Sequence, residues 1–327
     1  MHVTLLLPGA LLPREVVDAL AEPLAQTALA ALLARADLVG DSETAAPAHL
    51  AWLAEHLFQQ AMPLATAPYA YAALAGAAPT REVLWHADPV HLEVARDHLV
   101  VTPLAAPPSD DEASALIDAA NTLAAAMEAR LIRAADRWFL QSGRPWDLDT
   151  EPLSVALGRP VPDALPRGAD TGRWNRLLTE IQMTWHTHPV NEAREARGEP
   201  TINSLWLHGG GTWSPLKRGA YGAVLADAPE WRGAAHAAAV PSAPADAAPD
   251  DGALIVRDAL LAPRLMQDWH GWIDAVRRLD ERIATLSRSS ALDLVLAGGG
   301  TVRRLRSRPS DRLKFWRAHT LHQVLSE

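Results

Sequence analysis

The chain has 327 residues, is 49% hydrophobic and 21% charged, and carries a formal net charge of -9, which is the composition of a globular protein with one large domain or two. That acidic balance provides no overall field for nucleic acid or for an acidic membrane face. With no cysteine, disulfides, thiolate metal sites and a cysteine nucleophile are excluded.

The run Val3-Thr4-Leu5-Leu6-Leu7 before Pro8-Gly9 predicts a short buried strand. No Lys or Arg precedes it, so it lacks the layout of a signal peptide. No apolar run approaches the roughly 20 residues that span a bilayer, and the protein is expected to be cytoplasmic. Ala/Leu-rich segments predict helices over residues 15–34 and 49–60, the second ending at Gln60. Glu82-Val83-Leu84-Trp85-His86-Ala87 predicts a second strand, leading through Asp88-Pro89-Val90-His91 to a further strand over residues 98–102, with a turn at Asp97-His98.

Ser109 followed by Glu112 has the form of a capping box, and Leu116, Ile117, Ala120, Leu123, Ala124 and Met127 then recur at helical spacing. Residues 130–134 and 137–141 alternate as two short strands around Ala135-Asp136. Residues 174–185 and 191–197 predict helices, and Ile202-Asn203-Ser204-Leu205-Trp206-Leu207 a central strand running into His208-Gly209-Gly210-Gly211. Further strands are expected over 222–225 and 292–296, and a helix over 263–287. Between them, residues 234–251 form an Ala/Pro/Asp-rich stretch, expected to be an exposed mobile loop. These elements predict an α/β core of residues 1–87 and 190–327, with residues 88–189 set in as a small α+β domain.

Several chemistries can be tested on these residues. His208-Gly209-Gly210-Gly211 has the form of an esterase oxyanion loop, but no Gly-x-Ser-x-Gly nucleophile elbow occurs in the chain. The glycine run is no dinucleotide fingerprint, because Ser214 stands where the last glycine belongs, and no P-loop lysine follows. His186 and His188 would share a face on a strand and could ligate a metal with Glu180 or His208, and would diverge on a helix. Asp88 with His91 is a weaker pair. The amides of Gly209, Gly210 and Gly211 can cradle an anion, with Asn191, Arg194, Asn203 and Ser204 as further donors to a phosphate or carboxylate. The alternative is that the asparagines brace loops while the glycines permit a tight turn. The basic run Arg303, Arg304, Arg306, Arg308, Arg312, Lys314 and Arg317 reads as a solvated face, or as a phosphate site. Aromatic content is concentrated in 12 Trp against 3 Phe and 3 Tyr, so Trp138, Trp146, Trp213 and Trp231 are candidates for a protein-binding surface.

The run His188-Pro189-Val190-Asn191, Arg194, Gly198 and Asn203 through Gly211, continued at Arg232-Gly233-Ala234-Ala235, resembles the archaeal-type cofactor-independent phosphoglycerate mutases of the alkaline phosphatase superfamily. With Trp85-His86-Ala87-Asp88-Pro89-Val90-His91-Leu92 and Glu180-Ile181-Gln182-Met183, it is more similar still to the bacterial RpfE-type regulatory proteins, over nearly the whole chain. The resemblance implies an alkaline-phosphatase-like three-layer α/β core interrupted by a small inserted domain. It also implies chemistry with two metal ions and a Ser or Thr nucleophile. This chain departs from that pattern: residues 3–9 hold no carboxylate where the first strand should deliver an Asp, and Ala297-Gly298-Gly299-Gly300 replaces a late Asp-His pair. No catalytic residue, metal ligand or cofactor is therefore carried over. The reading that follows is a phosphoglycerate mutase-like pseudoenzyme with a regulatory or small-anion-binding role. Its expected partner is a phosphorylated or carboxylate metabolite, or a protein, with no nucleic acid and no membrane. The alternative is an active phosphoryl-transfer enzyme with a displaced metal site around Glu180, His186 and His188.

Overall fold

The first strand, β1 (His2–Pro8), is buried from Val3 to Pro8, the pattern of a strand flanked on both edges and covered on both faces. It was identified in a computed structural model that describes residues 1–44, 47–59, 64–76, 81–95, 98–102, 104, 106–157, 159–314 and 319–327. Gln60, Asp97 and Arg317, at which a helix end, a turn and part of the basic run were expected, lie outside the described residues. After β1 the chain turns at Gly9, where φ is +79° and an added Cβ would stand 2.6 Å from the Leu260 carbonyl oxygen, so the position requires glycine. The helix expected over 15–34 is two helices, α1 (Arg14–Leu24) and α2 (Ala28–Leu33). Thr27 divides them, its hydroxyl accepting from the Ala30 amide at 3.1 Å as an N-cap. An unforeseen strand, β2 (Asp37–Glu43), and helix α3 (Ala48–Phe58) follow.

Residues 65–214 form a compact unit of their own. It starts with α4 (Ala67–Ala75) and the strand β3 (Val83–Ala95), which runs unbroken through the expected domain boundary at residue 88. Pro89 is tolerated mid-strand. Val90 offers its carbonyl to the Asn203 amide, so strand alternation turns the Pro89 nitrogen to the opposite edge. That edge pairs only before residue 87 and after residue 90, and no ladder bond is lost. Next come β4 (His98–Thr102), α5 (Asp110–Ala124), β5 (Ala129–Ala134), β6 (Arg137–Ser142), α6 (Leu153–Ala156), α7 (Thr171–His186), α8 (Pro189–Ala196) and β7 (Ser204–Gly211). The capping box at Ser109 and Glu112 is formed as expected. The sheet runs β4-β3-β6-β5, and β7 pairs antiparallel with β3. This pairing makes the unit wider than the expected 88–189, because β3 and β7 cannot be parted without opening the ladder. One face buries Trp85, Trp138, Leu140 and Leu207 under α5 and α7; the other carries Leu84 and Phe139 against α4.

The other unit joins residues 1–64 to residues 215–327. The returning chain forms β8 (Ala223–Ala226), α9 (Pro229–Ala237), β9 (Ser242–Ala243), β10 (Ala253–Val256), α10 (Leu261–Leu265), α11 (Trp269–Ser289), β11 (Ala291–Gly298), β12 (Thr301–Ser307) and α12 (Leu321–Leu325). The seven strands stand in the order β2-β12-β11-β1-β10-β8-β9. The five from β11 to β9 are parallel, and β12 lies antiparallel between β11 and β2. Leu5, Leu7, Ile255, Leu294 and Leu296 pack with α1, α2 and α11 on one face. Helix α3 packs on β11 and β12 and shares no residue with that cluster, completing three layers.

The α/β class is the one expected, and three details are corrected. Residues 234–251 are no mobile loop: they include the end of α9 and all of β9, and Ala234, Ala235, Ala238, Val240 and Ala245 are buried. Alanine side chains are small enough for close helix-to-sheet packing, which a composition reading takes for low complexity. The helix expected over 263–287 breaks at Asp268, whose carboxylate caps α11 through the Gly271 amide at 2.9 Å. Trp138, Trp146 and Trp231 are buried and Trp213 is half-buried, so they serve packing and present no exposed aromatic surface. No helix among the described residues is long and apolar enough to cross a membrane.

Candidate functional site

The residues expected to wall an anion crevice are gathered around β7, but their polar groups bond to the chain itself. Asn191 is buried at the start of α8; its amide donates to the Trp185 and Ile202 carbonyls at 2.8 and 2.9 Å and its oxygen accepts from the Ile202 amide at 2.8 Å. Arg194, 1% exposed, donates to the carbonyls of Pro200 and Ala106 at 2.9 and 2.7 Å and to Glu112 at 3.0 Å. Asn203 pairs with both backbone groups of Leu92, and Ser204 accepts from Gln182. Asn191, Asn203 and Ser204 tie α8, β3 and α7 to β7 and the residues just before it, and Arg194 ties α8 to α5.

The glycines form no turn. All three belong to β7, and the register shifts so that Gly209 and Gly210 together face Trp85: Leu84 opposes Gly211 and His86 opposes His208. Gly209 has φ +60°, which makes this a β-bulge with a left-handed glycine. A Cβ on Gly210 would overlap the Trp85 ring, and one on Gly209 the Thr66 hydroxyl. The run is glycine because its neighbours lie against the backbone.

The metal set imagined around His186 does not assemble. His186 is the exposed last residue of α7, whereas His188 caps α8 by accepting from the Val190 amide at 3.2 Å. The group among the described residues with metal-ligand geometry is His86, Asp88 and His208. Strand parity builds it: His86 and Asp88 are two apart on β3 and share a face, and His208 lies directly opposite His86 on β7. His208 Nε2 donates to Asp88 Oδ2 at 2.8 Å, and the two imidazoles stack with centroids 4.6 Å apart. Phe139 closes over His86 at 5.4 Å. Sequence reading had Asp88 and His208 in view separately. The His-x-Asp spacing on a strand was the available signal, but its third member stands 120 residues away.

Burial, followed by the neighbouring His208 and Arg137, lowers the pKa of His86 to about 3 despite the attraction of Asp88. Burial alone would raise Asp88, but the hydrogen bond from His208 and the positive potential of His208, His86 and Arg137 leave it below its ordinary value. A histidine with a depressed folded pKa contributes its full stability above the free value of 6.5 and loses it as pH falls from 6.5 toward about 3. His86→Phe is therefore expected to flatten the decline of stability in that window. Urea unfolding at a series of pH values measures it, and equal slopes for variant and wild type would refute the linkage.

No family model matches the chain, and no curated protein matches it. Solved structures similar to it include the following two. The PH0037 protein from Pyrococcus horikoshii is similar over 98% of this chain and 91% of its own, with 13% identity and a TM-score of 0.53, a likeness that shows a shared fold. A cofactor-independent phosphoglycerate mutase from Thermoplasma acidophilum DSM 1728 is similar over 94% of this chain and 89% of its own, with 14% identity and a TM-score of 0.36.

Proposed function

We infer that the chain is a phosphoglycerate mutase-like protein of the RpfE type, of the alkaline phosphatase superfamily, that binds a small anion in the cytoplasm in a regulatory role and does not transfer phosphoryl groups. In open α/β sheets, ligands bind beyond the carboxyl ends of the strands. Here β1 ends in Leu7-Pro8-Gly9 and β11 in Ala297-Gly298, with no carboxylate, imidazole or hydroxyl. Asp227, just past β8, pairs with Arg257 at 3.5 Å and accepts from the Ala245 amide at 3.0 Å. Asp258, just past β10, and Glu327, whose carboxylate lies beside Gly298 and Gly299, are further acids at these strand ends. The lack of an Asp or His at the ends of β1 and β11 supports a reading without the two-metal centre, and phosphoryl transfer without such charge neutralisation is slower by many powers of ten.

The observation that carries the anion reading is a cleft of about 180 Å³ between α2, α11 and the segment after β12, lined by Arg35, Arg288, Arg308 and Arg312. None of the four guanidinium groups pairs with a carboxylate among the described residues. Asp311, the cleft's acid, is engaged by the Arg308 amide at 2.9 Å and by Lys314 at 2.8 Å. Arg35 and Arg288 stand by the last turns of α2 and α11, where the helix dipole favours a cation. Arg312 stands in the last turn of the short helix over 309–313, Arg308 has no such complement, and a phosphate or carboxylate between the two supplies one.

Calorimetric titration with inorganic phosphate, pyrophosphate and 3-phosphoglycerate at low salt tests this reading. Saturable binding, weakened at least tenfold in the Arg308→Gln, Arg312→Gln double variant, is expected (about 1.4 kcal/mol per tenfold), with no turnover of phosphate esters in the presence of zinc or manganese. Turnover, or binding that ignores the two substitutions, would overturn it.

A further inference from the structure

We propose that His86, Asp88 and His208 form a binding site for one divalent transition-metal cation of the zinc class in the 65–214 unit. Its three residues are none of those that line the arginine cleft or end the parallel strands. Its donor atoms all lie within 4.8 Å of one another. The 2.8 Å between His208 Nε2 and Asp88 Oδ2 is already close to the roughly 3.3 Å between donors that share a zinc ion at about 2.0–2.1 Å. His86 has to tilt out of its stack with His208 to join them.

A second observation points to a ligand. His86 is 3% exposed, yet its Nδ1 has no hydrogen-bond partner. Burying an unsatisfied imidazole nitrogen costs about 1–3 kcal/mol, and ligation of a metal through Nδ1 would use its lone pair and remove that cost. Both histidines are then needed as neutral bases, and burial keeps His86 in that form. Two imidazoles and one carboxylate suit zinc, cobalt, nickel or ferrous iron better than magnesium or calcium, which prefer all-oxygen sets. Three protein ligands leave a coordination position for water or a small ligand. Arg137 bears on both His86 and Asp88, and its charge opposes the cation.

Chelator-stripped full-length protein is dialysed against zinc, with cobalt as a spectroscopic probe, and bound metal is measured by elemental analysis and competition titration. The expected result is one equivalent per chain. Asp88→Asn and His208→Gln should each weaken binding about 100-fold, since even outer-shell partners are worth about 10–100-fold. A His186→Gln, His188→Gln double variant should bind as wild type does. Arg137→Gln leaves the ligands untouched and should tighten binding several-fold, which keeps the test decisive if a ligand variant fails to fold. The proposal is overturned if wild type takes up no stoichiometric zinc, if folded ligand variants retain it, if the His186, His188 variant loses it, or if Arg137→Gln leaves the affinity unchanged.

Discussion

Replacing Arg194 with methionine is expected to destabilise the 65–214 unit by about 2–5 kcal/mol, because two carbonyls lose their donor at about 1–3 kcal/mol each. The guanidinium is 1% exposed and reaches three different parts of the chain: Pro200 beyond its own helix, Ala106 before α5, and Glu112 in the capping box of α5. Methionine fills much of the volume but leaves two carbonyls without that donor. Glu112 keeps Arg197, 2.6 Å away, and the Ser109 amide, 2.9 Å away, so the penalty comes mainly from the carbonyls and the lost tie between α8 and α5. Lysine is no substitute, since one ammonium cannot span acceptors arranged around a planar fork. Urea unfolding followed by tryptophan fluorescence reads the effect. A loss below about 1 kcal/mol, the worth of an exposed pair, would show that Arg194 is no brace and return it to the list of ligand contacts.

The second large effect is expected in the other unit. Trp272 on α11 is fully buried, and its indole donates to the Gly9 carbonyl at 2.8 Å. Trp272→Ala should cost about 3–5 kcal/mol through the cavity it leaves and lower the melting temperature by roughly 10 °C. Trp272→Phe separates the contributions, because it retains most of the ring and loses the hydrogen bond. A fall of about 1–3 kcal/mol is expected for it, the cost of an orphaned buried acceptor. An alanine variant that melts within a degree or two of wild type, by roughly the measure used above, would mean that the turn at Gly9 does not depend on the indole.

What could be read from residues alone follows from how far apart the determinants lie. Val3 to Leu7 and Leu292 to Leu296 are apolar runs broken only by Thr4 and Asp293, and they are strands covered on both faces; such runs carry their own signal. The capping box of α5 is similarly local. Strand β12 went unseen because a register shift between Arg304 and Leu305 breaks its alternation: Val302 and Leu305 are both buried although three residues apart. Its arginines read as a charge run, yet Arg303 pairs with Asp41 at 2.7 Å and Arg306 with Asp293 at 2.7 Å. Strand β2 is short of apolar residues because it is the sheet's edge. The glycine run drew attention to the correct strand and gave it the wrong geometry, since a bulge depends on the facing Trp85. The His86, Asp88, His208 group depends on register between strands far apart in sequence, which no local pattern records.

The position of β1 also bears on the order in which the protein can be built. Its two neighbours in the sheet, β10 and β11, begin at Ala253 and Ala291. A ribosome adding about 5–20 residues per second needs on the order of ten to fifty seconds to travel from Val3 to Ala253. Residues 65–214 are contiguous and have their own core, so they can fold while β1 still lacks a partner. For that interval Leu5, Leu6 and Leu7 are an apolar segment in search of an edge, the kind of stretch that chaperones shield during synthesis.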